Sequence, residues 1–391
     1  MAKKKKIRVA LRKNRQSTPR QRGRFSQEID SDKNLDDFNP DERISRKGAI
    51  TRRRTIMSAD EGRSAGDQQP VRDVAVAECL EGRVLSPHGG SCLVEARDGR
   101  IYECTVRRLL KSLATDERAA VAAGDRVLFL PAGGEQAVIA PGVNAPGVNA
   151  QGVIERVEPR RGVLTRKTRG HKHVLAANVD QVLIVASAAD PPLKPSLIDR
   201  YLISATVGGI RPVICINKVD LVDFVDLQPV IGTYSQLGYD VVATSTRSGL
   251  GIARLKHLLT GCETALAGQS GVGKTSLINF LEPGLDLKTL EITAETRKGK
   301  HTTTAARLLK LSFGGWVVDT PGIRQMELWD VVQGDVERFF LEFQPFLREC
   351  RYPNCSHIHE RRCGVKRAVV KGLVSNLRYE SYCRIRMDDA D

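Results

Sequence analysis

Regular patterning of apolar and polar positions begins near residue 78. From there to 157 the apolar residues fall into short runs of alternating or β-rich character, at 78–85, 91–95, 100–107, 125–130 and 152–157. Pro87-His88-Gly89-Gly90, Asp98-Gly99 and Ala123-Gly124-Asp125 separate several of them, and this mixture of Gly, Pro and Asp favours tight turns over regular structure. Before the last run, Ala140-Pro-Gly-Val-Asn144 is repeated at 145–149, a loop-like duplication too short to build a solenoid. Five or six short strands in about eighty residues predict a small β-barrel, with an oligonucleotide-binding (OB) fold as the expected form.

At residue 180 the period changes. Apolar runs at 181–187, 212–216 and 240–244 read as buried parallel strands, and amphipathic stretches at 195–206, 227–237 and 249–259 as the crossover helices between them. A short strand at 264–267 feeds a glycine-rich turn, a helix follows at 274–281, and 308–312 and 316–319 form a strand pair around Gly314-Gly315. After Trp329 the pattern becomes helical, basic and rich in cysteine. The chain is therefore expected to be multi-domain: a basic, mostly disordered arm (1–75), a β-barrel (76–160), an α/β domain (161–329) and a C-terminal α-helical domain (330–391).

Charge sharpens the reading of the arm. The 391-residue chain has a net charge of +15, and residues 1–24 hold eleven Lys or Arg and no acid. So charged and so poor in apolar residues, the segment buries too little surface to offset its ordering entropy. It reads as an arm that condenses onto RNA phosphates, against the simpler reading of a solvated tail. No apolar run approaches the eighteen or so residues that span a bilayer, and the N-terminus lacks a secretory apolar segment, so a cytoplasmic location without membrane attachment is expected. The nine cysteines form no evenly spaced disulfide framework; Cys215 and Cys262, inside apolar runs, read as core residues, and Cys383 as a packing residue.

The chemistry lies in the α/β segment. Gly268, Gln269, Ser270, Gly271, Val272, Gly273, Lys274 and Thr275, followed by Ser276, form a complete phosphate-binding loop between a predicted strand and a predicted helix. Glycines let backbone N–H groups curl around a phosphate, Lys274 reaches the β- and γ-phosphates, and Thr275 ligates Mg²⁺. Asn217-Lys218-Val219-Asp220 ends an earlier strand. Asp220 can accept from guanine N1–H and its exocyclic amine, which adenine does not offer, while Asn217 and Lys218 shape the loop and cover the base. Thr244 and Ser245 fit the turn that supports guanine O6. Asp319-Thr-Pro-Gly322 supplies an acid for Mg²⁺ through water and a glycine N–H for the γ-phosphate. His301-Thr302-Thr303-Thr304 lies between, where one threonine should join Mg²⁺; the sequence does not fix which. The guanine motif precedes the phosphate loop, the reverse of ordinary GTPases, so the fold is circularly permuted.

The position after Gly322 holds Ile323 where many GTPases carry a water-orienting glutamine. Slow intrinsic hydrolysis is expected, with His301 as the candidate to polarise water alongside Lys274. Farther on, Cys350, Cys355, His357 and Cys363 place three thiolates and an imidazole within fourteen residues, a donor set suited to tetrahedral Zn²⁺. His359 competes for the imidazole position.

Over residues 78–380 the chain resembles the small-ribosomal-subunit-dependent GTPases of the RsgA (YjeQ) family. The resemblance rests on the permuted motifs, the zinc spacing with Glu360, Asn178-Val-Asp180-Gln181 and Asp199-Arg200-Tyr201-Leu202. It implies an OB barrel, a permuted GTPase domain and a zinc-binding helical domain. It also implies late maturation of the small ribosomal subunit, with that subunit and its rRNA as partners stimulating GTP hydrolysis. A monomer is expected. The alternative is a GTP-regulated RNA-binding scaffold with negligible turnover; an ATP-driven motor is argued against by Asp220. The basic arm and the duplicated loop stand outside the family pattern. The short run from Gly322 to Cys350 suggests a covalent path by which nucleotide state reaches the C-terminal domain.

Overall fold

The computed structural model describes residues 5–10, 53–58, 79–88, 90–107, 110, 120–132, 150–168, 171–285, 306–319 and 333–388. The sequence expectations for His301, Thr302, Thr303, Gly322, Ile323 and the duplicated loop lie outside these residues.

In the N-terminal stretch, β1 (Lys5–Ala10) pairs antiparallel with β2 (Arg53–Ser58). In that pairing Ile7 lies opposite Ile56, and the rest of residues 1–75, on which the expectation of a mostly disordered arm falls, lies outside the described residues.

Strands β3 (Leu80–His88), β4 (Ser91–Ala96), β5 (Ile101–Val106), β6 (Arg126–Ala132) and β7 (Ala150–Val157) close into a barrel in the order β3-β4-β5-β7-β6. All pairs are antiparallel except β5 with β7. That order, with one parallel pair, is the expected OB-like barrel. Alternation dictates it: Cys92, Val94, Tyr102 and Cys104 turn inward onto Val84, Phe129 and Ile154 while their neighbours face out.

A hairpin of β8 (Leu164–Thr168) and β9 (His171–Ala176) follows. The α/β unit then runs β10 (Gln181–Ser187), α1 (Pro195–Val207), β11 (Arg211–Asn217), α2 (Phe224–Gln236), β12 (Asp240–Ala243), α3 (Ile252–Leu259), β13 (Glu263–Ala267), α4 (Lys274–Leu281), β14 (Arg307–Lys310) and β15 (Trp316–Asp319). Its six strands lie in the order β12-β11-β10-β13-β15-β14, parallel except for the β14–β15 pair. Successive residues of β10 and β11 serve opposite layers. Val182, Ile184, Ile214 and Ile216 pack with α1 and α2, whereas Leu183, Val185, Val213 and Cys215 pack with α3 and α4. Burial on both faces explains why these strands read as continuous apolar runs. Cys215 is fully buried as expected, but Cys262 is only half-buried, because β13 starts one residue after it.

The C-terminal region comprises 3₁₀ turns at Gln333–Phe339 and Leu341–Phe343, then α5 (Gln344–Leu347), α6 (Gly364–Val370) and α7 (Asn376–Asp388). Phe340, Phe343, Val365, Tyr382 and Ile385 form its apolar centre, which Ile203 of α1 joins. Among the described residues no helix is long and apolar enough to cross a membrane.

Candidate functional site

Ligands in open parallel sheets gather where strands end in loops at their carboxyl edge. Here β11 ends in Asn217, β12 leads into Thr244 and Ser245, β13 feeds the phosphate loop and β15 ends in Asp319. Strand pairing, and not chain order, brings these pieces to one edge. The guanine motif sits two strands from the phosphate loop, about 10 Å across the sheet.

The phosphate loop needs its glycines. Gly268 has φ +138°, and a Cβ there would stand 2.2 Å from the Val185 carbonyl oxygen. Gly273 has φ +92°, and a Cβ would meet the Asn217 amide nitrogen at 2.5 Å. Only residues without a side chain fit these positions. The loop opens α4, whose N-terminus favours anions. Val272 is buried beneath the loop, Ser270, Gly271 and Ser276 are exposed, and Gln269, Lys274 and Thr275 are half-buried. Lys274 Nζ donates to the carbonyls of Gly268 and Gln269, both at 2.7 Å, so its ammonium lies folded against the loop.

The base-reading side is tied to this loop directly. Asn217, 1% exposed, donates through Nδ2 to the Val272 carbonyl at 2.9 Å and accepts from Thr244 Oγ1 at 3.1 Å. Lys218 takes φ +60°, ending the strand, and its Nζ donates to the Asp190 carbonyl. Asp220 is exposed, and the buried Ser245 hydroxyl donates to its Oδ1 at 2.5 Å. Ser245 Oγ also accepts from the N–H groups of Arg247 and Ser248, each at 3.1 Å. An exposed carboxylate is thus held by a serine that is itself held by backbone.

A second cluster lies in the C-terminal region. One donor atom from each of Cys350, Cys355, His357 and Cys363 falls within 4.8 Å of all the others. The sulfurs of Cys350 and Cys363 are 3.9 Å apart, close to the roughly 3.8 Å of two thiolates each about 2.3 Å from a tetrahedral Zn²⁺. His357 Nδ1 lies 3.3 Å from Cys363 Sγ and 3.6 Å from Cys350 Sγ. The competing His359 is exposed and outside the cluster. Burial foremost, with Cys363 and Cys350 adding to it, pushes the Cys355 thiol up to about 12. Crowded sulfurs of this kind carry charge readily only when a cation joins them. The N–H groups of Gly364 and Lys366 point at Cys350 and Cys363 sulfur, and His357 Nε2 lies 3.0 Å from Glu337 Oε2. The donor set, the spacing and this outer shell fit zinc.

Two participants escaped the sequence reading. Glu337 stands twenty residues before its histidine with no motif to mark it, and Tyr201, which lines one small cavity with Gln269 and Val272, lies in a helix that reads as a crossover. Asp199-Arg200-Tyr201-Leu202 was the only available signal for the second.

The RsgA GTPase family profile matches residues 157–329. The small ribosomal subunit biogenesis GTPase RsgA of Sodalis glossinidius (strain morsitans) is 36% identical over 347 residues, covering 87% of this chain and 93% of the relative. Its counterpart in Yersinia pseudotuberculosis serotype O:1b (strain IP 31758) is 37% identical over 342 residues, covering 85% and 92%. Among solved structures, YjeQ from Thermotoga maritima superposes with a TM-score of 0.61 at 35% identity, covering 79% of this chain and 98% of that one. YloQ, described as a circularly permuted GTPase, gives a TM-score of 0.58 at 25% identity, covering 81% and 97%.

Proposed function

The chain belongs to the RsgA family of circularly permuted GTPases, and from that membership we propose how its own residues carry the reaction. It is a GTP-hydrolysing enzyme of small-ribosomal-subunit biogenesis. Asp220 reads the guanine edge, with Ser245 fixing its carboxylate and Thr244 aligning Asn217. Asn217 and Lys218 form the walls of the base site. The backbone N–H groups of residues 269–274 bind the phosphates, and Lys274 turns from its loop carbonyls to the β- and γ-phosphates. Thr275 and Ser276 open α4 beside them, where the Thr275 hydroxyl, Asp319 through water and either Thr302 or Thr303 would hold Mg²⁺. Bound there, the ion neutralises charge that develops on the transferring phosphate. Gly322 would meet the γ-phosphate, and His301 would orient water in place of the glutamine that Ile323 replaces.

The observation that carries this reading is the Asn217 Nδ2 bond to the Val272 carbonyl, which joins base-reading strand and phosphate loop despite their reversed order. Cys350, Cys355, His357 and Cys363 would hold one structural Zn²⁺. The partner is the small ribosomal subunit, bound through its rRNA in the cytoplasm, and the subunit stimulates turnover. Lys274→Ala is expected to weaken GTP binding about 100-fold, since it removes charge-assisted bonds to two phosphates. Fluorescent-nucleotide titration measures this, and unchanged affinity would remove the site assignment.

A further inference from the structure

The order of the sheet leaves one loop between the two halves of the nucleotide site. Strand β10 lies between β11, which ends in the guanine motif, and β13, which feeds the phosphate loop. Whatever leaves the carboxyl end of β10 must therefore emerge in the gap of about 10 Å that separates base side from phosphate side. Residues 188–194 do so, on their way to α1. The root of this loop is pinned. The Ala188 N–H donates to the Asn217 carbonyl at 2.8 Å, and the buried Ser187 hydroxyl donates to the Ala189 carbonyl.

Beyond its root the loop touches both neighbours. Pro191 Cδ stands 3.6 Å from the point that a Cβ on Gly271 would occupy, so the proline packs beside the phosphate loop. Pro192 and Lys194 line one small cavity together with Gln269 and Val272 of that loop. On the base side, the Asp190 carbonyl accepts from Lys218 Nζ. Lys218 reaches it across Gly273, with its Cε 3.8 Å from the Cβ position of that glycine. The half-buried stem of Lys218 is thus held at both ends by the protein itself, at one by β11 and at the other by Asp190. Asp190 takes φ +45°, a left-handed conformation that Asp, Asn and Gly tolerate and β-branched residues resist. Turning that dihedral into the ordinary negative range would carry the carbonyl away from Lys218.

We propose that Asp190 is a positioning residue of the nucleotide site: its main-chain carbonyl anchors the Lys218 ammonium, so that the Lys218 stem is preset as the wall on which the purine rests. This deepens the reading of residues 217–220 and 268–275 as a guanine-nucleotide site, and it rests on that reading. A lysine stem left free gives up its rotamers when a base covers it, and an anchor supplied by the protein removes that cost from binding. The choice of guanine stays with Asp220; the anchor sets how long the bound base remains.

The test follows dissociation of a fluorescent GDP derivative from the full chain by stopped flow. Asp190→Val places a β-branched residue on the left-handed backbone and is expected to speed release about five- to tenfold, with association little changed. Asp190→Asn and Asp190→Gly leave the carbonyl in place and should stay within about twofold of the wild type. In a Lys218→Met background, which keeps a stem but loses the ammonium, Asp190→Val should add nothing, whereas general damage to the loop would add its full factor. Unaltered release from a folded Asp190→Val protein, equal losses in all three Asp190 variants, or an additive double variant would overturn the proposal. Should Asp190→Val fail to fold, hydrogen exchange decides: residues 188–190 should exchange faster in Lys218→Met than in the wild type, and equal exchange contradicts the anchor. A wild-type chain that does not bind GDP would sink the site reading itself, whereas a binding wild type with an insensitive Asp190→Val sinks the anchor alone.

Discussion

Asp220 shows how much one residue decides. Its carboxylate is exposed at the sheet edge, and the Ser245 hydroxyl at 2.5 Å fixes its orientation. In the proposed reading, its two acceptor oxygens would meet guanine N1–H and the exocyclic amine and so favour guanine over adenine. Asp220→Asn replaces one acceptor by a donor and removes the charge, so GTP affinity is expected to fall roughly 100-fold, at about 1.5–3 kcal/mol per charged hydrogen bond. Competition titration with GDP and ADP checks this, and an unchanged guanine preference would contradict the role. Such residues were legible because their chemistry demands a particular side chain at a particular spacing. Glu337 was not, because it acts on the far nitrogen of His357, a role many side chains can fill.

Among the elements, buried parallel strands were the clearest. The stretch 181–187 reads as an unbroken apolar run because both faces of β10 are covered, and the strand spans those residues. Helix starts were less legible. Asp223 caps α2 by accepting from the Val225 N–H at 3.0 Å, starting it earlier than the apolar pattern suggests, while Gly251 at φ +71° delays α3 to Ile252. The β8–β9 hairpin went unseen, since Thr165, Arg166 and Lys167 facing Val174, His173 and Lys172 lack the alternation that marks a half-buried strand. In the C-terminal region the short helices α5 and α6 flank the Cys and His cluster, and 3₁₀ turns make up much of the rest. Short elements of this kind are held by packing and by a shared ligand more than by their own propensity. Chelation of zinc is expected to raise hydrogen exchange across residues 344–370 while leaving β10 and β11 protected; equal exchange with and without chelator would argue against a structural ion.

At the scale of the whole molecule, the contacts between units were the part that sequence could not supply, because they join positions far apart in the chain. The barrel meets the α/β sheet through Arg83, 2.6 Å from Glu263 and stacked over Trp316, and through Glu95, 3.0 Å from Lys310. Burial pushes the Glu263 carboxyl up to about 7, against the pull of Arg83 and Arg126 and with the help of Asp180. The folded chain therefore keeps this proton to higher pH than the unfolded chain, whose glutamate titrates near 4.5. The resulting stabilisation is complete below that value and is lost as pH rises through about 7. Urea denaturation from pH 4.5 to 8 should show a decline, on the order of 3 kcal/mol, that Glu263→Gln removes; the same slope in the variant would contradict the assignment.

If this permuted nucleotide site belongs to an enzyme switched on by the small ribosomal subunit, the subunit must accelerate its hydrolysis of GTP. Phosphate release from GTP, measured while purified small subunits are titrated in, tests it most directly. Slow turnover is expected of the chain alone, as Ile323 in the glutamine position implies, with a saturable rise on adding subunits that Lys274→Ala lacks. A rate unchanged by saturating subunits would contradict it and leave a GTP-regulated RNA-binding scaffold in its place.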